Sequence, residues 1–165
     1  MPLIVGIDPG VKGAFGVADT EGAGVFTWEP LAETVEETHR LWSQYSAHID
    51  QVFIESISPR PQQDLKSVVT SCVRFGWLQM LTRGLEVQYI TPQKWQASLG
   101  LSVKWGARPR NMTEEAWASY KYNERKKMHR KKAKELFPNI DVTHRNADAL
   151  LITKYGLKIW GRENG

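Results

Sequence analysis

The 165-residue sequence predicts an α/β fold: one five-stranded mixed sheet, three antiparallel strands followed by parallel ones, flanked by helices. Three observations predict it. The chain opens with three short apolar runs joined by turn-rich connections. Strand-like and helix-like stretches then alternate. Hydrophobic residues make up 41% of the chain and charged residues 24%, enough to build a core at one-domain length, so residues 1 to 165 are read as one domain.

The elements follow in order. Leu3 to Asp8 is apolar up to its terminal acid and is bounded by Pro9-Gly10, a buried strand entering a turn. Ala14 to Ala18 and Gly24 to Trp28 are the next two strands of a meander. Residues 31 to 47 switch to helical spacing, with Leu31, Val35, Thr38, Leu41, Trp42 and Tyr45 on one side. Gln51 to Glu55 is a fourth strand, again ending in a carboxylate, and Pro59 and Pro61 close it. A long helix spans about Gln62 to Arg83, with Gly84 at its C-terminal cap. Val87 to Ile90 is the fifth strand, and Pro92 opens a short helix to Leu99. After a loop from Gly100 to Arg110, one helix covers about Thr113 to Leu136 and a last one about Asn146 to Trp160, with an interruption expected near Gly156.

Composition narrows the function classes. No apolar run reaches the roughly eighteen residues of a membrane span, and the N-terminus lacks the basic start of a signal peptide. Cys72 is the one cysteine, which excludes an internal disulfide and a thiolate zinc cluster. The expectation is a soluble cytoplasmic protein of a bacterial cell or a phage-infected host. Net charge is +4 with a pI near 9.2, and its distribution is uneven. Residues 104 to 134 hold eleven Lys or Arg against Glu114, Glu115 and Glu124. Such concentrated positive charge is suited to a polyanion.

Three acids are candidates for chemistry. Asp8 and Glu55 each end an apolar strand, and Asp148 begins the last helix inside Asn146-Ala147-Asp148-Ala149-Leu150-Leu151. Carboxylates behind apolar runs are costly to desolvate without a positive partner. Adjacent strands would bring Asp8 and Glu55 to one sheet edge, and the last helix could deliver Asp148 there. Three converging carboxylates form a hard-oxygen site suited to Mg²⁺ or Mn²⁺. Singly, each acid could also cap a turn or a helix N-terminus.

Gly6-Ile7-Asp8-Pro9-Gly10, Gly13 and Gly16, then Ile54-Glu55, then Ala147-Asp148-Ala149-Leu150-Leu151 resemble, in that order, the RuvC family of Holliday junction resolvases. Lys131-Lys132-Ala133-Lys134-Glu135-Leu136-Phe137-Pro138 is similar to a basic helix of its phage-encoded branch, and Tyr89 to Trp95 to the family's fifth strand and exit. The resemblance spans about residues 3 to 156.

It implies a ribonuclease H-like fold, a homodimer, and two Mg²⁺ ions per active site, replaceable by Mn²⁺, with Asp8, Glu55 and Asp148 as ligands. The family carries an acid or His three positions before the helical Asp; Arg145 stands there, and it cannot ligate a cation. His144, one position earlier, is the catalytic candidate to complete the site, with Asp141 more remote. The implied substrate is branched DNA with four arms. Arg60, Gln62 and Lys66 would probe the junction centre. Lys104, Arg125, Lys126, Lys127, Arg130, Lys131, Lys132 and Lys134 would contact phosphates. Trp105, Trp117, Tyr120 and Tyr122 lie among these charges, either as stacking platforms for bases or as packing residues.

Other readings are open to the same residues. A nuclease for flaps, forks or RNA-containing substrates would use the same metal chemistry. A catalytically silent junction-binding protein would have lost one of the acids, and all three are present. An actin-like kinase would need a longer chain and a second phosphate loop.

Overall fold

The computed structural model describes residues 2–21, 26–57 and 64–163. Strands β1 (Leu3–Asp8), β2 (Ala14–Asp19) and β3 (Phe26–Pro30) form the meander, and β4 (Ile49–Glu55) and β5 (Glu86–Ile90) continue the sheet beyond β1. The strand order is β3-β2-β1-β4-β5. Pairings within the meander are antiparallel, whereas β1–β4 and β4–β5 are parallel. This is the mixed sheet the sequence predicts.

The helices are α1 (Val35–Trp42), α2 (Leu65–Leu81), α3 (Pro92–Ser98), α4 (Glu114–Leu136) and α5 (Ala147–Glu163). Two depart from expectation. α1 is shorter than residues 31 to 47, because Leu31 still bonds to the sheet, its N–H meeting Gly13 O at 3.0 Å. Thr34 then caps the helix by accepting the Glu37 N–H, and the chain tightens into a 3₁₀ turn at Ser46–His48. α5 runs unbroken through Gly156. A Cβ there would meet Phe53 Cδ2 at 2.6 Å and Ile4 Cγ2 at 2.8 Å, so this glycine permits close packing on the sheet instead of ending the helix. The expected start of α2 at Gln62 and of β3 at Gly24 lie outside the described residues. Gly84 follows α2 with φ +88°, as its capping position requires.

Strand alternation divides the core between the two faces. Val5, Ile7, Phe15, Val17, Val52 and Ile54 pack toward α1 and α2 around Trp42 and Leu78. Ile4 and Phe53 face the opposite way, toward α3, α4 and α5, with Trp95, Ala133, Leu150 and Leu151. By the same alternation Asp8 follows Ile4 and Gly6 onto the α5 face, and Glu55 follows Phe53 there.

α5 lies unusually close to that face. Gly6 and Gly16 pair directly across β1 and β2. A Cβ at Gly6 would come within 2.3 Å of Thr153 N, and one at Gly16 within 2.5 Å of Thr153 Oγ1. Only a strand pair without side chains there lets the helix backbone rest on the sheet. From this contact Asp148 lies five residues back along α5, roughly 7.5 Å. Asp8 lies two residues beyond Gly6 along β1, roughly 6.6 Å. The glycine contact therefore fixes how far each acid reaches.

Candidate active site

β1 and β4 run in parallel with Ile7 opposite Ile54, so Asp8 and Glu55 are the next residues of both strands at the same sheet edge. α5 brings Asp148 to them in its first turn. The three acids predicted from sequence thus converge. Asp8 and Glu55 each have one oxygen held by a protein donor, and Asp148 has both oxygens held. Asp8 Oδ1 accepts the Gly10 N–H at 3.0 Å, and Glu55 Oε1 accepts Trp95 Nε1–H at 2.9 Å. Asp148 Oδ1 lies 2.9 Å from His129 Nδ1, and its Oδ2 accepts from Lys126 Nζ at 2.5 Å.

Convergence has an electrostatic cost. Burial, followed by repulsion from Asp148, raises the pKa of Asp8 above the usual carboxylate value. Burial, then Asp8 and Asp148, pushes Glu55 up to about 8. Asp148 goes the other way. Burial works against its charge, yet the His129 hydrogen bond and the Lys126 charge prevail and bring it to about 2. Burial opposes the charge of Lys126 too, and Asp148 and Asp8 outweigh it, holding the ammonium above its ordinary value. Three acids therefore share one close ammonium, and both Asp8 and Glu55 are left with their charge incompletely compensated. Among the described residues, no three Asp, Glu, His or Cys side chains stand, as arranged, as a ready metal-ligand group.

The turn after Asp8 is clamped from behind. Arg74, buried on α2, donates from Nη1 to Gly10 O at 3.1 Å and to Val11 O, and from Nη2 to Ala32 O at 3.3 Å. Arg145, at the position where an acid or His was sought, donates from Nη2 to Leu31 O at 3.0 Å.

The other predicted residues are distributed along α4 and its surroundings. Lys127, Arg130, Lys131, Lys134, Glu135 and His144 line an open groove of about 480 Å³. His144 is exposed on that groove, and it is His129 that meets Asp148. Within the lining, Arg130 Nε donates to Val142 O at 3.1 Å, and Lys127 pairs with Glu124 at 2.7 Å. Lys132 pairs with Glu135 at 3.6 Å, and Lys131 and Lys134 are exposed. Lys126, expected among the phosphate contacts, is the ammonium at Asp148. Arg125 is half-buried, and Lys104 and Lys66 are exposed. Arg60 and Gln62 lie outside the described residues. Asp141 is exposed, and its carbonyl accepts from Asn146 Nδ2 at 2.9 Å.

No protein-family model matches the sequence, and no curated protein matches it significantly. Solved structures do match in shape. The chain is similar to Thermus thermophilus RuvC in complex with a Holliday junction substrate, with a TM-score of 0.63, 16% identity, and coverage of 98% of this chain and 96% of that one. The fold is that of RuvC. A second Thermus thermophilus RuvC structure matches at a TM-score of 0.55 and 17% identity over the same shares of both chains. The ribonuclease H-like architecture implied by the ordered motifs is therefore present.

Against this RuvC-like frame, two site residues had no sequence signal of their own. Trp95 and His129 each hold one acid, and they touch each other edge to face with ring centroids 5.0 Å apart. The one hint was spacing: His129 stands three residues after Lys126 and four before Ala133, on the inward line of α4.

Proposed function

We propose that this chain is a divalent-cation-dependent endonuclease that cuts branched DNA, with the four-way junction as its substrate. The single observation that carries the reading is the meeting of Asp8, Glu55 and Asp148 on one edge of a RuvC-like sheet. Burial, joined by repulsion from Asp8 and Asp148, pushes Glu55 up to about 8. Buried carboxylates in that state favour a cation that supplies more positive charge than one lysine can. All three offer hard oxygen donors, and the lone thiol, Cys72, is exposed on α2. The donor set therefore fits Mg²⁺ or Mn²⁺, provided Lys126 swings away from Asp148 as the cation enters.

Two such ions would supply an activated water on one side of a scissile phosphate and charge neutralisation at the departing 3′-oxygen on the other. The protein's own share is orientation. Gly10, Trp95 and His129 fix one oxygen of each acid, and Arg74 holds the loop beyond Asp8. Lys126, once displaced, would be free to meet a phosphate oxygen. Lys127, Arg130, Lys131 and Lys134 recur at three- and four-residue intervals on the groove side of α4, a spacing suited to tracking a phosphate backbone.

A two-fold partner belongs to this reading. Leu65, Val69, Val73 and Met80 are exposed large apolar residues along α2, on neighbouring turns of one helix. An apolar stripe of this kind favours a second copy of the chain, and a two-fold dimer matches the approximate symmetry of a four-way junction. The substrate panel that tests the proposal sets a synthetic four-way junction beside linear duplex, flap and RNA–DNA hybrid, all with Mg²⁺. Paired symmetric nicks confined to the junction are expected. Equal cutting of flaps or hybrids removes the junction assignment, and binding without cutting removes the nuclease.

A further inference from the structure

Trp95 and His129 are two buried aromatic side chains from different helices, α3 and α4, and neither was anticipated at the site. Trp95 is fully buried and donates from Nε1 to Glu55 Oε1 at 2.9 Å. His129 is 2% exposed, with Nδ1 2.9 Å from Asp148 Oδ1. The rings meet at 5.0 Å and 62°, so neither can turn without displacing the other. We propose that this ring pair positions Glu55 and Asp148 for cation binding, making Trp95 and His129 positioning residues that act through the acids and not on the DNA.

Packing alone does not account for a histidine here. Among the described residues its Nε2 is buried without a hydrogen-bond partner, and a bare buried polar atom is destabilising. A leucine would fill similar space beside Ala133 and bury no polar atom. What the histidine adds is one directed bond. With no hydrogen bond at Nε2 among the described residues, the bond to Asp148 and the Trp95 contact together set how the ring lies. Carboxylate ligands need such fixing: a partner behind a metal ligand is typically worth 10–100-fold in metal affinity. Trp95 does the same for Glu55. The inference rests on the cation-site reading, and its test keeps the two apart.

The test is Mn²⁺ affinity of the full chain without DNA, followed by the electron paramagnetic resonance signal of the free ion, with thermal melting as the check on folding. His129→Leu is expected to bind Mn²⁺ about 10–100-fold more weakly than wild type. His129→Asn, whose amide nitrogen takes the place of Nδ1, should stay within roughly threefold of wild type, because it restores the bond. Trp95→Phe keeps a ring and loses the donor, and should weaken binding about tenfold. Should His129→Leu fail to fold, His129→Gln takes its place, since its amide aligns with Nε2 and misses Asp148. Wild-type affinity in the leucine variant, or an equal loss in the asparagine variant, overturns the positioning role while the metal site stands. Absence of Mn²⁺ binding by wild type overturns both.

Discussion

The two halves of α4 differ in charge and in surroundings: Glu114 to Tyr122 holds two Glu and one Lys, whereas residues 123 to 136 hold seven Lys or Arg against two Glu. In the first half, Glu114 to Tyr122, side chains are exposed or half-buried. Its rings meet the preceding loop: Trp105 stands edge-on to Trp117 at 6.1 Å and to Tyr120 at 6.4 Å, and Trp117 stacks on Tyr120 at 5.4 Å with only 9° between planes. Lys121 sits 5.6 Å over Trp117. In the second half, Lys126, His129 and Ala133 turn inward at intervals of three and four, and two of them reach Asp148. Charge count separates these halves, and packing separates them further: residues at helical spacing in the second half meet α5, and that contact makes a basic stretch part of an acidic site.

The largest expected contrast is in stability. Ala133→Asp would bury an unpaired carboxylate where no solvent reaches and should cost about 3 kcal/mol or more. Ala118→Asp, on the exposed first half, should stay within about 0.5 kcal/mol. Urea unfolding of both variants reads this difference, and equal losses would mean the first half is packed as firmly as the second.

A smaller effect concerns pH, at the acids that the second half serves. The folded-state pKa of Glu55, about 8, lies above its ordinary 4.5, so the folded chain holds a proton that the unfolded chain releases. That contribution is complete below pH 4.5 and is lost as pH rises through about 8. Without divalent metal, the melting temperature should therefore fall across this window. Glu55→Gln should flatten the decline, and an undiminished slope in that variant would place its origin elsewhere.

The smallest expected effect separates the two basic surfaces in DNA binding. Lys131→Glu with Lys134→Glu, in the groove, should reduce the dependence of junction affinity on log salt by about two. Lys104→Glu with Arg108→Glu, beside the first half, should change it by less than about one. Junction titrations at several salt concentrations in EDTA measure both slopes. A larger change from the loop pair would move the main phosphate track to the first half.

Much of this arrangement was legible in the sequence. Asp8 and Glu55 announce themselves because each closes an apolar strand, and period-two alternation then fixes the face they share. Asp148 was legible through its ordered place after the other two. The helical break expected at Gly156 failed because a glycine's role depends on what lies beneath it, here Phe53 and Ile4. His129 and Trp95 were not legible for a related reason. Their bonds depend on where α3 and α4 cross the α5 side of the sheet, and those crossings are set by packing. Lys126 reads as one more cation in a basic run until α5 is placed against it.

The central claim is that these three acids perform phosphodiester hydrolysis with a bound cation. Asp8→Asn tests it most directly, because the amide keeps the shape of the side chain and can still accept the Gly10 N–H bond. The measurement is single-turnover cleavage of a four-way junction in Mg²⁺ by wild type and Asp8→Asn, with junction affinity determined for both. Cutting by wild type, unaltered binding by the variant, and a loss of cleavage of about 1,000-fold or more agree with removal of transition-state charge stabilisation. Cleavage by Asp8→Asn at the wild-type rate would contradict the claim.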